Sequence, residues 1–234
     1  MLTRNIAIFV NGNDSIGKGH LIRCLSIVNE EIFKSYRILF LVPKDCKKKI
    51  IENKGFNCCT IRFDNENEVV NILRHNQINL LLIDLILEDY EKLKYLINYR
   101  NNFFITTITL FDFKNEIRYE HLSFFPDFVD DFETKIQNEN IITQKLTGRN
   151  YIVINHVDES TELESGDILV SMGAADEFGL TIKTVKAIKS LNYNSLVILD
   201  EKHKDYSQII KIVGDSKNIK IILTFVSKHQ GKPI

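Results

Sequence analysis

The part of the chain best suited to chemistry is a histidine placed after two closely spaced glycines and before an arginine, Gly17-Lys18-Gly19-His20-Leu21-Ile22-Arg23. An imidazole changes charge near neutral pH, so His20 suits a general base that takes a proton from water. Gly17 and Gly19 let a ligand approach the backbone closely. An apolar run, Ile6 to Val10, comes before this stretch, and an amphipathic run, Leu21 to Phe33, comes after it. The order is strand, glycine-rich turn, helix. The N-terminus of such a helix offers unpaired N–H groups and a partial positive charge, which suits a phosphate. The plainer alternative makes His20 only a helix N-terminal residue. Arg23 has two readings, a carboxylate partner or a substrate contact. So has Asp84, which ends the aliphatic run Leu80-Leu-Leu-Ile83. It stands where open α/β sheets bind ligands, or it caps the helix that follows.

The same loop has a competing interpretation. Gly12-Asn-Asp-Ser-Ile-Gly17-Lys18 matches the first seven positions of a P-loop, and Leu80-Leu-Leu-Ile-Asp84 would serve as its acidic strand. The eighth position should carry a Ser or Thr hydroxyl for Mg²⁺, and here it is Gly19. A nucleoside triphosphatase would therefore lack a metal ligand.

Ile16-Gly-Lys-Gly-His20-Leu-Ile-Arg23-Cys-Leu25 resembles the first-domain signature of the UDP-sugar hydrolases of pseudaminic acid synthesis and of the related spore coat polysaccharide proteins. The resemblance extends along the chain through Ile83-Asp84, Gly148-Arg-Asn-Tyr151, Val170-Ser-Met-Gly173-Ala-Ala-Asp176 and Leu180-Thr181. It implies a glycosyltransferase-B architecture, two Rossmann-like parallel-sheet domains. It also implies hydrolysis of a UDP-linked amino sugar at the anomeric carbon, releasing UDP and free sugar, with no cofactor and no metal. His20 would be the catalytic base. Asp14, Ser15, Gly17, Gly19, Arg23 and Asp84 would bind substrate. Gly173, Ala174 and Asp176 would meet the nucleotide, although Asp176 also suits a helix N-cap. Three departures stand out. Leu110-Phe-Asp112-Phe carries one aspartate where the family often has two, Ala174 replaces a usual glycine, and a later glycine-threonine helix start with its glutamate is missing. The second domain is therefore expected to be incomplete. A truncated or degenerate nucleotide-sugar-binding protein, or a related glycosyltransferase, is the alternative.

These residues must be positioned by a doubly wound sheet. Strands are predicted at about 5–11, 36–42, 58–63, 78–85 and 103–111, and helices at about 18–33, 44–54, 66–76 and 88–101. The strands are rich in Ile, Val, Leu and Phe with little polar alternation, as expected when both faces are covered. Strict alternation implies parallel, right-handed crossovers. Phe124-Phe-Pro-Asp-Phe128 reads as a short edge strand, Thr134 to Lys145 as a polar stretch, and Gly148 to Ile154 as the last strand of the domain. Alternation restarts with strand 167–172, helix 180–191, strand 195–200, helix 203–213 and strand 218–226. The domains are thus expected at 1–155 and 167–234, joined by an acidic linker at 156–166.

Of the 234 residues 44% are hydrophobic, enough for a substantial core, and the net charge of −1 gives no electrostatic case for nucleic acid or acidic membranes. No apolar run approaches the roughly 20 residues that span a bilayer, and the N-terminus lacks a signal-peptide pattern, so a cytoplasmic protein is expected. Cys24, Cys46, Cys58 and Cys59 fit no zinc spacing and read as buried, reduced thiols. His75, His121, His203 and His229 lack evident partners and are expected at the surface. An open edge in the second unit would favour a homodimer.

Overall fold

The computed structural model describes residues 5–108, 118–126, 132–138, 141–153, 168–173, 176 and 178–223. Asp112, Ala174, His229 and the expected linker at 156–166 lie outside them. The chain forms two compact units.

The first unit is built on an eight-stranded sheet. Its strands are β1 (Asn5–Val10), β2 (Arg37–Val42), β3 (Asn57–Thr60), β4 (Leu80–Asp84), β5 (Phe104–Ile108), β6 (Leu122–Phe125), β7 (Phe132–Asn138) and β8 (Ile141–Thr147). Their order is β3-β2-β1-β4-β5-β6-β8-β7. All pairs are parallel except β7 with β8. β1 lies centrally, and all six of its residues are buried. Ile6, Ile8 and Val10 belong to one core, and Ala7 and Phe9 to the other. Side chains alternate between the faces of a strand, so a strand covered on both sides is apolar on both, as β1 is from Ile6 to Val10. A fully buried Ile or Phe contributes about 1.5–3 kcal/mol, which makes β1 a principal anchor of the unit.

The helices are α1 (Gly19–Asn29), α2 (Lys49–Glu52), α3 (Glu66–His75) and α4 (Leu87–Glu91). Leu21, Cys24, Leu25 and Val28 of α1 are buried in the core that holds Ile6 and Ile8. Val69 and Leu73 of α3 join the opposite core. The side chain of Asn65 caps α3 by accepting the N–H of Glu68. The helices expected over 44–54 and 88–101 are shorter than that. The first contracts to α2, and the second divides into α4 and a 3₁₀ stretch, Lys94–Tyr99.

The sheet departs from expectation past β5. Residues 122–125 form an interior strand, β6, between β5 and β8. The polar stretch is a hairpin, β7 and β8. In β8 it is Thr143, Lys145 and Thr147 that are buried, while Ile142 is exposed. These inward polar groups have partners. Thr143 Oγ1 donates to the carbonyl of Glu120 at 2.7 Å, and Lys145 Nζ lies 4.6 Å from the centre of the Phe125 ring. The residues read as a strand at 148–154 instead begin with Gly148 at φ 116° and a 3₁₀ turn, Arg149–Tyr151.

The second unit holds a parallel three-stranded sheet, β11-β10-β9, from β9 (Ile168–Val170), β10 (Ser195–Leu199) and β11 (Ile219–Leu223). Helices α5 (Leu180–Leu191) and α6 (Tyr206–Val213) share its core through Val185, Ile188, Ile209 and Val213. The ammonium of Lys189 donates to the carbonyls of Ile212 and Val213, satisfying the C-terminus of α6. Among the described residues no helix is long and apolar enough to cross a membrane.

Candidate functional site

The order β3-β2-β1-β4-β5 places a topological switch point between β1 and β4, where ligands bind at the carboxyl ends of open sheets. Val10 is in register with Asp84, so the last residue of each strand meets its neighbour there. A cavity of about 740 Å³ lies at the opposite, amino-terminal ends of the strands, lined by Asn5, Arg37 and Asn57 among others, and is remote from this point.

His20 and Arg23 fall in the first turns of α1, three residues apart, and Cys24 comes four residues after His20. At this spacing their side chains share one helix face, and all three point to Asp84. His20 Nδ1 lies 2.6 Å from Asp84 Oδ1. Arg23 is bidentate, with Nε 2.7 Å from Oδ2 and a terminal nitrogen 2.6 Å from Oδ1. Cys24 Sγ approaches Oδ2 at 3.6 Å. The side chain of Asp84 is 0% exposed, whereas those of His20 and Arg23 are each 15% exposed.

Burial pushes the Asp84 carboxyl upward, but hydrogen bonds from His20 and Arg23 outweigh it and hold the group below the usual carboxylate range. Arg23 is the mirror case. Burial lowers it, and the bonds to Asp84 raise it above its ordinary value. Cys24 is pushed well up, first by burial and then by the Asp84 charge, so it is a thiol and not a nucleophile. An ionised Asp84 only accepts hydrogen bonds. His20 therefore donates from Nδ1, and in the neutral ring it is Nε2 that carries the lone pair. The 3.2 Å approach of Arg23 to Nδ1 then brings two donors around one carboxylate oxygen.

The loop between β1 and α1 begins with a further set of bonds that the sequence did not reveal. Asn11 Oδ1 accepts the N–H of Gly12 at 2.7 Å, and its Nδ2 donates to Asp89 Oδ2 at 2.9 Å. Asp89 also accepts from Lys92 at 2.8 Å. Asp14 and Ser15 are exposed. No side chain caps the N-terminus of α1, and no acidic residue stands in its first turn.

Gly17 has φ 85°, which disfavours any residue with a Cβ, while Gly19 has ordinary φ and open space where a Cβ would go. Gly17→Ala is expected to destabilise the fold by about 1 kcal/mol from backbone strain. Gly19→Ala should leave the melting temperature unchanged or slightly raised. A loss of ligand affinity in Gly19→Ala alone would therefore report a ligand lying against the backbone. Equal stability of the two variants in thermal melts would refute the strain argument.

In the second unit Gly173 has φ 75° and Asp176 φ 33°. Asp176 is buried, and its two oxygens accept the N–H groups of Leu180 and Thr181 at 2.7 and 2.9 Å, at the start of α5. Burial would raise this carboxyl, but the bonds at Thr181 and Leu180 hold it below its usual value. His203 departs from expectation because it is buried. Its Nε2 lies 3.4 Å from Asp176 Oδ2, and its Nδ1 accepts the N–H of Asp205. His121 is half-buried against Phe104, with ring centres 4.9 Å apart. All four cysteines are free. Cys24 and Cys46 are buried, and Cys58 and Cys59 partly so. Among the described residues no group of three or more His, Cys, Asp or Glu side chains is gathered to hold a metal.

No family model matches the chain. An uncharacterized protein of Methanocaldococcus jannaschii is 26% identical over 92% of this chain, which spans about half (47%) of that relative's length. Among solved structures, a glycosyltransferase from Rickettsia africae matches 97% of the chain and 69% of its own, with a TM-score of 0.58 and 10% identity. The spinosyn rhamnosyltransferase SpnG, solved with thymidine diphosphate, matches 94% and 70%, with a TM-score of 0.57 and 10% identity. MurG of Acinetobacter baumannii matches 97% and 68%, at 0.54 and 8%. At these identities the likeness concerns architecture, and the chain has an α/β fold of the glycosyltransferase-B type, a seven-strand parallel sheet with one antiparallel edge strand and a second parallel sheet.

Proposed function

We propose that the chain acts on a nucleotide-linked sugar, hydrolysing a UDP-linked amino sugar at its anomeric carbon, with His20 as general base. The observation that carries this reading is the bond from His20 Nδ1 to the buried carboxylate of Asp84, which occupies Nδ1 and makes Nε2 the proton acceptor of the neutral ring. In the reaction Nε2 takes a proton from water as the water oxygen bonds to the anomeric carbon. The bond from that carbon to the diphosphate oxygen breaks, and UDP leaves with the electron pair. Asp84 then faces an imidazolium that it stabilises, as the aspartate of a catalytic triad does. Arg23 keeps Asp84 ionised. Asp84 has no exposed surface, so on this reading it and Arg23 position the base, while Asp14, Ser15, Gly17 and Gly19 remain the proposed contacts to substrate. The uncapped N-terminus of α1 suits developing negative charge. For the second unit, Gly173 and the amides near it are the proposed diphosphate contacts, and Asp176 fixes the start of α5.

A glycosyltransferase reading uses the same base on an acceptor hydroxyl in place of water. It is favoured by two of the solved structures that share the fold, a glycosyltransferase and a rhamnosyltransferase. The P-loop reading is opposed by the site itself, because both oxygens of Asp84 are taken by His20 and Arg23 and none is left to face Mg²⁺.

Calorimetric titration with UDP, and separately with ATP and Mg²⁺, tests the reading. Micromolar UDP binding, followed by release of UDP and reducing sugar from a UDP-linked N-acetylamino sugar, is the expected outcome. Binding of ATP with Mg²⁺ and none of UDP would overturn it.

A further inference from the structure

We propose that Asn11 and Asp89 are positioning residues for His20, because one short segment, Asp84 to Asp89, clamps both ends of the loop that leads to it. This inference rests on His20 being the base. At the far end of the loop Asp84 holds His20. At the near end Asp89 holds Asn11, the first residue past β1. Asn11 is 5% exposed and Asp89 7%, so the bond between them is shielded from water. The amide of Asn11 is used at both ends, since its oxygen also fixes the N–H of Gly12. The connection after β2 braces the same residues. The carbonyl of Gly12 accepts the N–H of Lys47 at 2.9 Å, and Asn13 Nδ2 meets Asp45 Oδ2 at 2.5 Å.

The clamping segment is itself fixed. Tyr90, beside Asp89, stacks on Tyr119 with ring centres 4.5 Å apart and donates its hydroxyl to the buried Glu120 at 2.6 Å. The loop it spans contains Gly12 and Gly17, the residue type with most backbone freedom. Without a fixed near end, that freedom reaches His20, and a displacement of about 1 Å at a reacting group costs on the order of 10²-fold in rate. The clamp holds the imidazole against Asp84 and so sets which ring nitrogen carries the proton.

Removing the Asn11 side chain bares no buried charge, because Asp89 retains Lys92. The variants Asn11→Ala and Asn11→Ser should therefore fold. The second keeps a hydroxyl for Gly12 but cannot reach Asp89. The test is ¹⁵N NMR of labelled histidine in the full chain, with His20 assigned from the signal lost in His20→Gln. The wild type should show His20 protonated at Nδ1. Both Asn11 variants should show a mixture of tautomers while still unfolding in one cooperative transition, with a melting temperature lowered by the lost buried bonds. The double exchange Asn11→Asp with Asp89→Asn reverses donor and acceptor across the same bond and should restore the single tautomer. An unchanged tautomer in the Asn11 variants would overturn the proposal, and so would a mixture that the exchange does not restore. The readout needs no substrate. Failure of the clamp is thus distinct from failure of the hydrolase reading, which would appear as absent UDP binding.

Discussion

Asp84→Ala is expected to lower the stability of the first unit by about 3–5 kcal/mol, the cost of leaving a buried charge without its partner. The stranded charge is Arg23, whose two bonds to Asp84 are both lost and whose side chain is only 15% exposed. A partner cannot be found elsewhere without withdrawing α1 from Ile6 and Ile8, with which Leu21 and Leu25 share a core. Chemical denaturation with the slope unchanged would measure the loss. A loss below about 1 kcal/mol would mean that water reaches Arg23 and that the pair is not buried in solution. The same pair sets a pH dependence. Asp84 is ionised in the fold below the pH at which an unfolded aspartate protonates, so its carboxylate is held more tightly folded than unfolded. Its contribution is fully present above about pH 4 and is lost as pH falls through the lower folded value. Acid titration of wild type against Asp84→Asn should show a steeper acid slope in the wild type, the difference being the contribution of Asp84.

His20→Ala is expected to reduce turnover by about 10²–10⁴-fold, the usual worth of a positioned base. The fold should persist, because Asp84 keeps both bonds to Arg23. UDP affinity should also persist, since the proposed base would act on water and not on the nucleotide. The diagnostic feature is the pH–rate profile. An acid limb present in the wild type should be absent from the variant's residual rate. A variant with wild-type turnover would remove His20 from the mechanism. One that also fails to bind UDP would make His20 a binding residue.

The sequence made β1, the loop and α1 legible because each obeys a local rule. Ile6 to Val10 is apolar without a break, as a strand covered on both sides must be. His20, Arg23 and Cys24 share a face through the helical repeat alone. Asp84 was visible as an aspartate ending an aliphatic strand, but its union with His20 was not, since the two lie 64 residues apart and the register of Val10 with Asp84 is set by sheet packing. Asn11 and Asp89 were hidden for the same reason. The hairpin of β7 and β8 was missed because it inverts the usual rule. Thr143 and Lys145 face inward on specific partners, so the strand reads as polar loop. His203 was misplaced because its buried ring faces Asp176, 27 residues earlier in the chain, an approach that no local pattern announces.

The position of β1 between β2 and β4 also governs when the site can come into being during synthesis. β2 emerges soon after β1, and the two can pair while the ribosome is still working on the next crossover. β4 arrives only after α3, and until it docks the polar face of α1 has neither a carboxylate nor a neighbouring strand to meet. A nascent chain ending before Leu80 would carry His20 and Arg23 exposed on a half-covered sheet whose central strand still offers an open edge to other chains. The arrival of β4 closes that edge and delivers Asp84 in one step, so the His20–Arg23–Asp84 cluster and protection against misassembly are acquired together.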